Sequence, residues 1–316
     1  MKRYVFLLFF ILAWATLSPF VAFRLLCGSF VPQNESSVVE AEHDLTEETA
    51  LNNVFSESET QNVVENPTES EEASSEAPNE TELLTAYLIS KTDFEKYSPE
   101  CQKALAVALR TQIIYGEENP QGEISEYLNK TALGGEDDLY NVSIPKCVLE
   151  TEGIFLTHKG KTVNAIYHNS SYKTTVSSQN GEKYLTSVNT PEASADIKKE
   201  FVFSKDDVKK IISTLCPTAA FGDGAVIESI KYDDENRCKY IKTGNCAISA
   251  SALAEQLQLP SLAFSVEESQ NLVIFTVYGD GNGLGMSLKG AELLANEGKT
   301  YEEILKHYYS EIEISN

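Results

Sequence analysis

"YGDGNGLGMSLKGAELLANEG", residues 278–298, is the stretch on which the reading of this chain turns. Glycines stand at 279, 281, 283 and 285, directly ahead of a methionine and a run of helical composition. So much backbone freedom before a helix N-terminus has two local explanations. One is a cradle of backbone N–H groups for a phosphate-like anion. The other is a tight corner at which glycine permits positive φ and lets the backbone approach a ligand or another segment. The Gly-x-x-x-x-Gly-Lys-Ser/Thr spacing of a phosphate loop is absent, which favours the corner.

Outward from this stretch, "LVIFTVYG" (272–279) reads as the strand that feeds it, and "TYEEILKHYY" (300–309) as a final helix. Thr300 is its N-cap and Glu303 stands at the capping-box position. Upstream, "SPECQKALAVALRTQIIYG" (98–116) has Ser98 as N-cap, Pro99 at the first helical position and Gly116 to end it. "IFLTHKGKTVNAIYHNS" (154–170) reads as a hairpin around Lys159-Gly160. "DDVKKIISTL" (206–215) is a short amphipathic helix behind Ser204, and residues 226–249 are strands with turns near Asp234 and at Gly244-Asn245. "SALAEQLQL" is a helix ending before Pro260. Strands and helices mix without strict alternation, so the expected class is α+β, mixed sheets with packed helices forming a cleft.

The N-terminal quarter is different. Lys2 and Arg3 precede twenty uncharged residues, 4–23, enough at about 1.5 Å per residue to span a bilayer core. The expectation for 1–27 is a cytoplasmic tip and single transmembrane anchor, with the remainder outside; a cleaved signal peptide and a lipidated Cys27 are the rival readings. The formal charge is −23, with fifteen acids between Glu35 and Glu82 and no Lys or Arg between Leu25 and Ser90. Residues 28–80 therefore read as a disordered, self-repelling acidic tether. The folded domain is expected over 81–316. No basic stripe exists to neutralise phosphates, so nucleic acid is rejected as a partner.

Several segments together resemble the stage II sporulation protein D / LytB amidase-enhancer family (SpoIID). "KALAVALRT" (103–111) is similar to that family's helix with its Arg-Thr end, and "GIFLTHKGKTVNAIYHNSS" (153–171) to its hairpin ending in Tyr-His-Ser-Ser-like residues. "YLTSVNTPEA" (184–193) is similar to the segment after it. The opening stretch resembles the signature Gly-x-Gly-His-Gly-Val-Gly-Met-Ser-Gln-x-Gly-Ala. The resemblance covers about 83–314 in order. It implies a membrane-bound, extracytoplasmic protein of sporulation acting on peptidoglycan glycan strands. A cell-wall amidase or other engulfment proteins are its possible partners, and no cofactor is implied. By the same resemblance Arg110, His168, Ser170, Ser171, Gly281, Asn282, Gly283, Gly285, Met286 and Ser287 line the glycan cleft.

The departures bear on chemistry. Asn282 and Leu288 stand where the family has His and Gln. The family's catalytic glutamate, counted back from Arg110-Thr111, falls on Thr92; anchoring on Pro99 moves it to Asp93, and Glu95 is the nearest glutamate. A lytic transglycosylase needs one carboxylic acid to protonate the glycosidic oxygen and then accept a proton from the sugar's own hydroxyl. A threonine cannot do this. The expectation is thus a degenerate site that binds glycan or enhances an amidase; the alternative is an active enzyme with a shifted carboxylate. No Cys or His follows His168 at ligand spacing, so no metal is expected. Five cysteines lie beyond the anchor, an odd number, and Cys238 and Cys246 flank a turn. A tight turn at Gly244 is expected to set Cys246 opposite Ile241, which leaves their pairing open.

Overall fold

The computed structural model describes residues 79–122, 142–222 and 224–316. The expected anchor at 4–23 and almost all of the tether lie outside these residues. Among the described residues no helix is long and apolar enough to cross a membrane.

The fold is mixed α+β with four small sheets. Helix α1 (Glu80–Ser90) is capped by Asn79, whose side chain accepts from Thr81 N, so it takes in a residue assigned above to the tether. Helix α2 (Pro99–Glu118) runs one turn's fraction past Gly116. Ser98 stands at its N-cap, but its backbone N–H and hydroxyl both donate to Glu292 instead of closing a local cap. A short turn α3 (Lys146–Leu149) leads into β1 (Phe155–His158) and β2 (Lys161–Thr162). Their two-residue turn has φ of 53° at Lys159 and 73° at Gly160, as a tight hairpin of this twist demands. The expected second strand is cut short. After Thr162 the chain leaves the hairpin and re-forms as β3 (Tyr167–His168) in another sheet.

β4 (Lys198–Ser204), α4 (Lys205–Leu215), β5 (Ser229–Tyr232), β6 (Cys238–Thr243), β7 (Cys246–Ser249), α5 (Ala250–Leu257), β8 (Phe264–Glu268) and β9 (Leu272–Tyr278) follow. Ser204 caps α4 by accepting from Asp207 N. The chain ends with β10 (Met286–Ser287), α6 (Leu288–Asn296), α7 (Tyr301–Tyr308) and β11 (Glu313–Ser315). The capping box at Thr300 and Glu303 is formed in full. Strand orders are β11-β1-β2, β4-β9-β8 and β5-β6-β7, all antiparallel, and a parallel pair β10-β3.

Two cores result. The first gathers α1, α2, α6 and α7 around Leu105, Leu156, Met286, Leu305 and Tyr309. The second gathers β4 to β9 with α4 and α5 around Ile212, Ile241, Leu253 and Phe275. Residues 198–278 are thus a lobe with its own core, inserted into the first. The chain enters it near Ile197 and returns through the glycine stretch, and the two crossings touch: Gly279 N donates to Ile197 O at 3.0 Å. At the β6–β7 turn, Cys246 pairs with Thr243, not Ile241. Cys246 is disulfide-bonded to Cys216 at the end of α4, while Cys238 stays buried and free.

One buried ion pair fastens α1 to α2. Arg110, only 1% exposed, meets Glu82 in two parallel bonds, Nε–Oε1 2.7 Å and Nη2–Oε2 2.6 Å. Its other donors go to Val148 O, Ile154 O and Thr151 Oγ1. All five guanidinium N–H groups are thereby spent. Removing one partner leaves an uncompensated buried charge, so Glu82→Ala should destabilise the fold by about 3–5 kcal/mol, read from the denaturant midpoint. The apolar pair Glu82→Leu with Arg110→Met should recover most of that loss. A Glu82→Ala midpoint equal to wild type would mean the pair contributes nothing.

Candidate functional site

The glycine stretch is a close-packed crossing. Asp280 N and O bond Ser170 O and N at 2.9 and 3.0 Å, Gly281 N reaches Pro260 O at 2.8 Å, and Met286 N reaches Ile166 O at 3.0 Å. Leu284 N is taken by the Asn282 side chain. These donors point into the protein, as a phosphate cradle would not have them. Gly279, Gly281, Gly283 and Gly285 all have positive φ. A Cβ would lie 2.7 Å from Ser170 O at Gly279 and 1.9 Å from Ile166 O at Gly285. At Gly283 it would meet Val176 and the Arg237 Nη2 at 2.8 and 2.9 Å. The corner needs glycine for conformation and for space together.

Beneath the crossing lies a polar network with no solvent exposure at His168, Ser171 or Ser287. The His168 Nδ1 stands 2.9 Å from Leu284 O, which can only accept, so that nitrogen carries the hydrogen. Its Nε2 then accepts from the Ser171 hydroxyl at 3.0 Å. Burial pushes the imidazole down to about 3; the Leu284 carbonyl opposes this and the Arg237 charge adds to it. Arg237, 5% exposed, donates from Nη2 to Ser171 Oγ at 3.1 Å and to Thr174 O at 3.2 Å. Burial lowers its affinity for the proton, against the pull of Asp233, Glu235 and Glu192. Glu192 completes the group: one oxygen accepts from Ser171 N at 3.1 Å and, in a very short bond, from Ser287 Oγ. Ser287 also caps α6 through Gly290 N. The other Glu192 oxygen and the Tyr308 hydroxyl are buried without partners, facing the same bare spot at Gly290. This Ser–His pair resembles half of a hydrolase triad, but a substrate cannot touch a serine with no exposed surface.

The expected positions therefore divide. His168, Ser171, Met286 and Ser287 form the buried backing. Ser170, Gly281 and the exposed Asn282 lie on its outer side, and Gly283 and Gly285 are packed between. Arg110 is elsewhere: it belongs to the α1–α2 ion pair, with no donor left for a sugar. Thr92 follows α1 and donates its hydroxyl to Ile89 O at 2.7 Å. Asp93 is 84% exposed and pairs with Lys96 at 3.2 Å; Glu95 is exposed in the same turn. That turn looks toward the crossing. Burial first, then Cys101, then the charges of Asp93, Glu292 and Asp280 all push the Tyr97 phenol up. Among the described residues no group of three or more His, Cys, Asp or Glu is placed to hold a metal ion. Sequence reasoning passed over Glu82, Glu192 and Arg237. One signal was available: residues 83–316 hold twenty lysines and only two arginines, 110 and 237. Arginine's planar fork suits buried, multiply bonded positions.

No protein-family model matches the chain. It is 25% identical over 242 residues to stage II sporulation protein D of Bacillus subtilis (strain 168), 69% of each chain. The chain is SpoIID-like. The Bacillus amyloliquefaciens stage II sporulation protein D is similar at 26% over 246 residues, 70% of each. A shorter match, 43% over 56 residues, joins 18% of this chain to 15% of an uncharacterized Brachyspira hyodysenteriae (strain ATCC 49526 / WA1) protein.

The buried neutral histidine has a pH consequence. Unfolded, His168 takes a proton near 6.5; folded, only near 3. Below 6.5 the unfolded state binds more protons, so the fold loses stability as pH falls through this window. By pH 5 this residue's share of the loss is about 2 kcal/mol. Denaturant titrations at pH 7 and 5 should show a smaller loss for His168→Gln than for wild type. Equal losses would refute a neutral, buried His168.

Proposed function

We propose that this protein is a membrane-anchored, extracytoplasmic SpoIID-like protein of sporulation that binds peptidoglycan glycan strands, or enhances an amidase acting on them, with little cleavage of its own. The observation that carries the reading is Thr92. At the position matching the family's acid stands a hydroxyl already committed to Ile89 O. An alcohol does not surrender a proton to a glycosidic oxygen at neutral pH, and losing a general acid typically removes about 10²–10⁴-fold in rate. The Cys216–Cys246 disulfide supports placement outside the membrane, where such bonds persist. Residues 4–23 would be the anchor.

A second reading, a lytic transglycosylase with a shifted carboxylate, is favoured by one fact. Asp93 and Asp280 act on the same phenol, so Asp93 faces the crossing and not bulk solvent alone.

Purified full-length protein in detergent should retain peptide-free glycan strands in a pull-down. Mass spectrometry should find no anhydro-sugar product. Thr92→Glu should release some, and Asp93→Asn should change nothing. Abundant product from the unmodified chain, abolished by Asp93→Asn or Glu95→Gln, would establish the enzyme reading instead.

A further inference from the structure

The exposed side of the crossing carries a feature that the buried network does not use. Ser170 and Asp280 are paired antiparallel through both their backbone bonds. Two residues further along each segment, that register sets Tyr172 opposite Tyr278 on one face. Ser171 and Gly279, between them, turn inward and are buried. The two tyrosine rings stack, centroids 4.6 Å apart and planes 24° apart, and both remain half-buried, with ring surface open to solvent. Beside them Lys173 is exposed and has φ 63°, a conformation in which glycine or asparagine would be the ordinary choice. That backbone turn places its ammonium 4.9 Å from the Tyr172 ring centre. Asp280, on the same face, is held by Lys199 at 3.6 Å.

A solvent-facing aromatic pair with a hydroxyl, a carboxylate and a mobile ammonium at its rim has the composition that recognises a sugar. The apolar C–H face of a pyranose packs on the ring, and the polar rim takes its hydroxyls and charge. The cation now resting on Tyr172 gains more from a carboxylate than from an exposed ring, since a solvated cation–π contact is weak. We propose that Tyr172, Tyr278 and Lys173 form a stacking subsite for an anionic sugar, the rings holding the pyranose and Lys173 its carboxylate. This rests on the glycan reading above and deepens it. A muramic acid residue offers that carboxylate only after its stem peptide has been removed, so the subsite selects strands that an amidase has already processed.

The test uses full-length protein in detergent and two probes: a peptide-free muramic-acid-containing glycan oligomer and a neutral N-acetylglucosamine oligomer of equal length. Calorimetry should show Tyr172→Ala binding both probes about tenfold more weakly. Lys173→Asn, which tolerates the same φ, should weaken only the carboxylate-bearing probe, by about fivefold, and remove most of the salt dependence of its binding. An unchanged thermal midpoint checks that each variant is folded. If wild type binds the muramic probe and Lys173→Asn binds it equally well, the subsite is refuted while the glycan reading stands. Equal weakening of both probes by Lys173→Asn refutes the carboxylate assignment. If wild type binds neither probe, the glycan reading itself falls and this inference falls with it.

Discussion

A single buried guanidinium, Arg237, sits where the two lobes of this fold meet. It comes from the tip of the β5–β6 hairpin in the inserted lobe and reaches Ser171 and Thr174 of the other. A charge taken out of water costs several kcal/mol unless it is bonded or paired. Arg237 has bonds but no carboxylate in contact among the described residues, and its Nε has no partner. The acids that hold it charged, Asp233, Glu235 and Glu192, act from a distance. Much else follows from accommodating it. Residue 283 must be glycine because a Cβ there would press on the guanidinium. Ser171 must be turned inward to accept from it, which in turn orients His168 through Nε2. Glu235 fastens the same hairpin tip again by accepting from Ser177 N at 3.0 Å.

The same junction explains what could be read from the sequence and what could not. Helix starts announced themselves because their signals are local. Ser204, Thr300 and Ser287 cap their own helices from within four residues. Ser98 shows the limit of that logic, since its cap partner, Glu292, is 194 residues away. Glu192 and Arg237 were legible only as ordinary charged residues in turns, because their partners come from segments tens of residues off. The β6–β7 register was missed for a smaller reason. A two-residue turn at Gly244-Asn245 leaves Thr243 opposite Cys246, and the disulfide then goes to Cys216 across the lobe. Helix α1 escaped notice because nearly half its sequence reads as a continuation of the acidic stretch before it. Its anchor, Glu82, looks like one more tether acid until Arg110 is placed opposite.

Functional expectations divided along the same line. The glycine stretch was legible as a corner, and the structure gives that corner its reason in the near-contacts at Ser170 O, Ile166 O and Arg237. Arg110 is the instructive displacement. Its resemblance to a cleft residue is a matter of position in a motif, whereas its five hydrogen bonds are a matter of where α1 packs. A residue can occupy a family position and still be fully consumed by its own core. Tyr172 is the converse, a residue that no motif marked and that the register of one short bridge brings against Tyr278.

The surroundings of Thr92 complete the argument about chemistry. A general acid must hold its proton near neutral pH, and a carboxyl group does so when buried or when neighbouring carboxylates oppose its ionisation. Tyr97, in the turn that follows Thr92, already feels both influences: burial first, and among the charges Asp93, Glu292 and Asp280. The field in this region thus has the sign that would keep an added carboxyl group protonated, although the residue at the matching position is an alcohol. The two halves of a catalytic acid, environment and proton donor, are separable in this chain. The environment is supplied by the packing of α2, α6 and the crossing, which the fold needs for its own stability. The proton donor is one side chain, and exchanging it for threonine leaves that packing intact. A fold can therefore lose the chemistry at Thr92 while keeping the surface on which a glycan strand would lie.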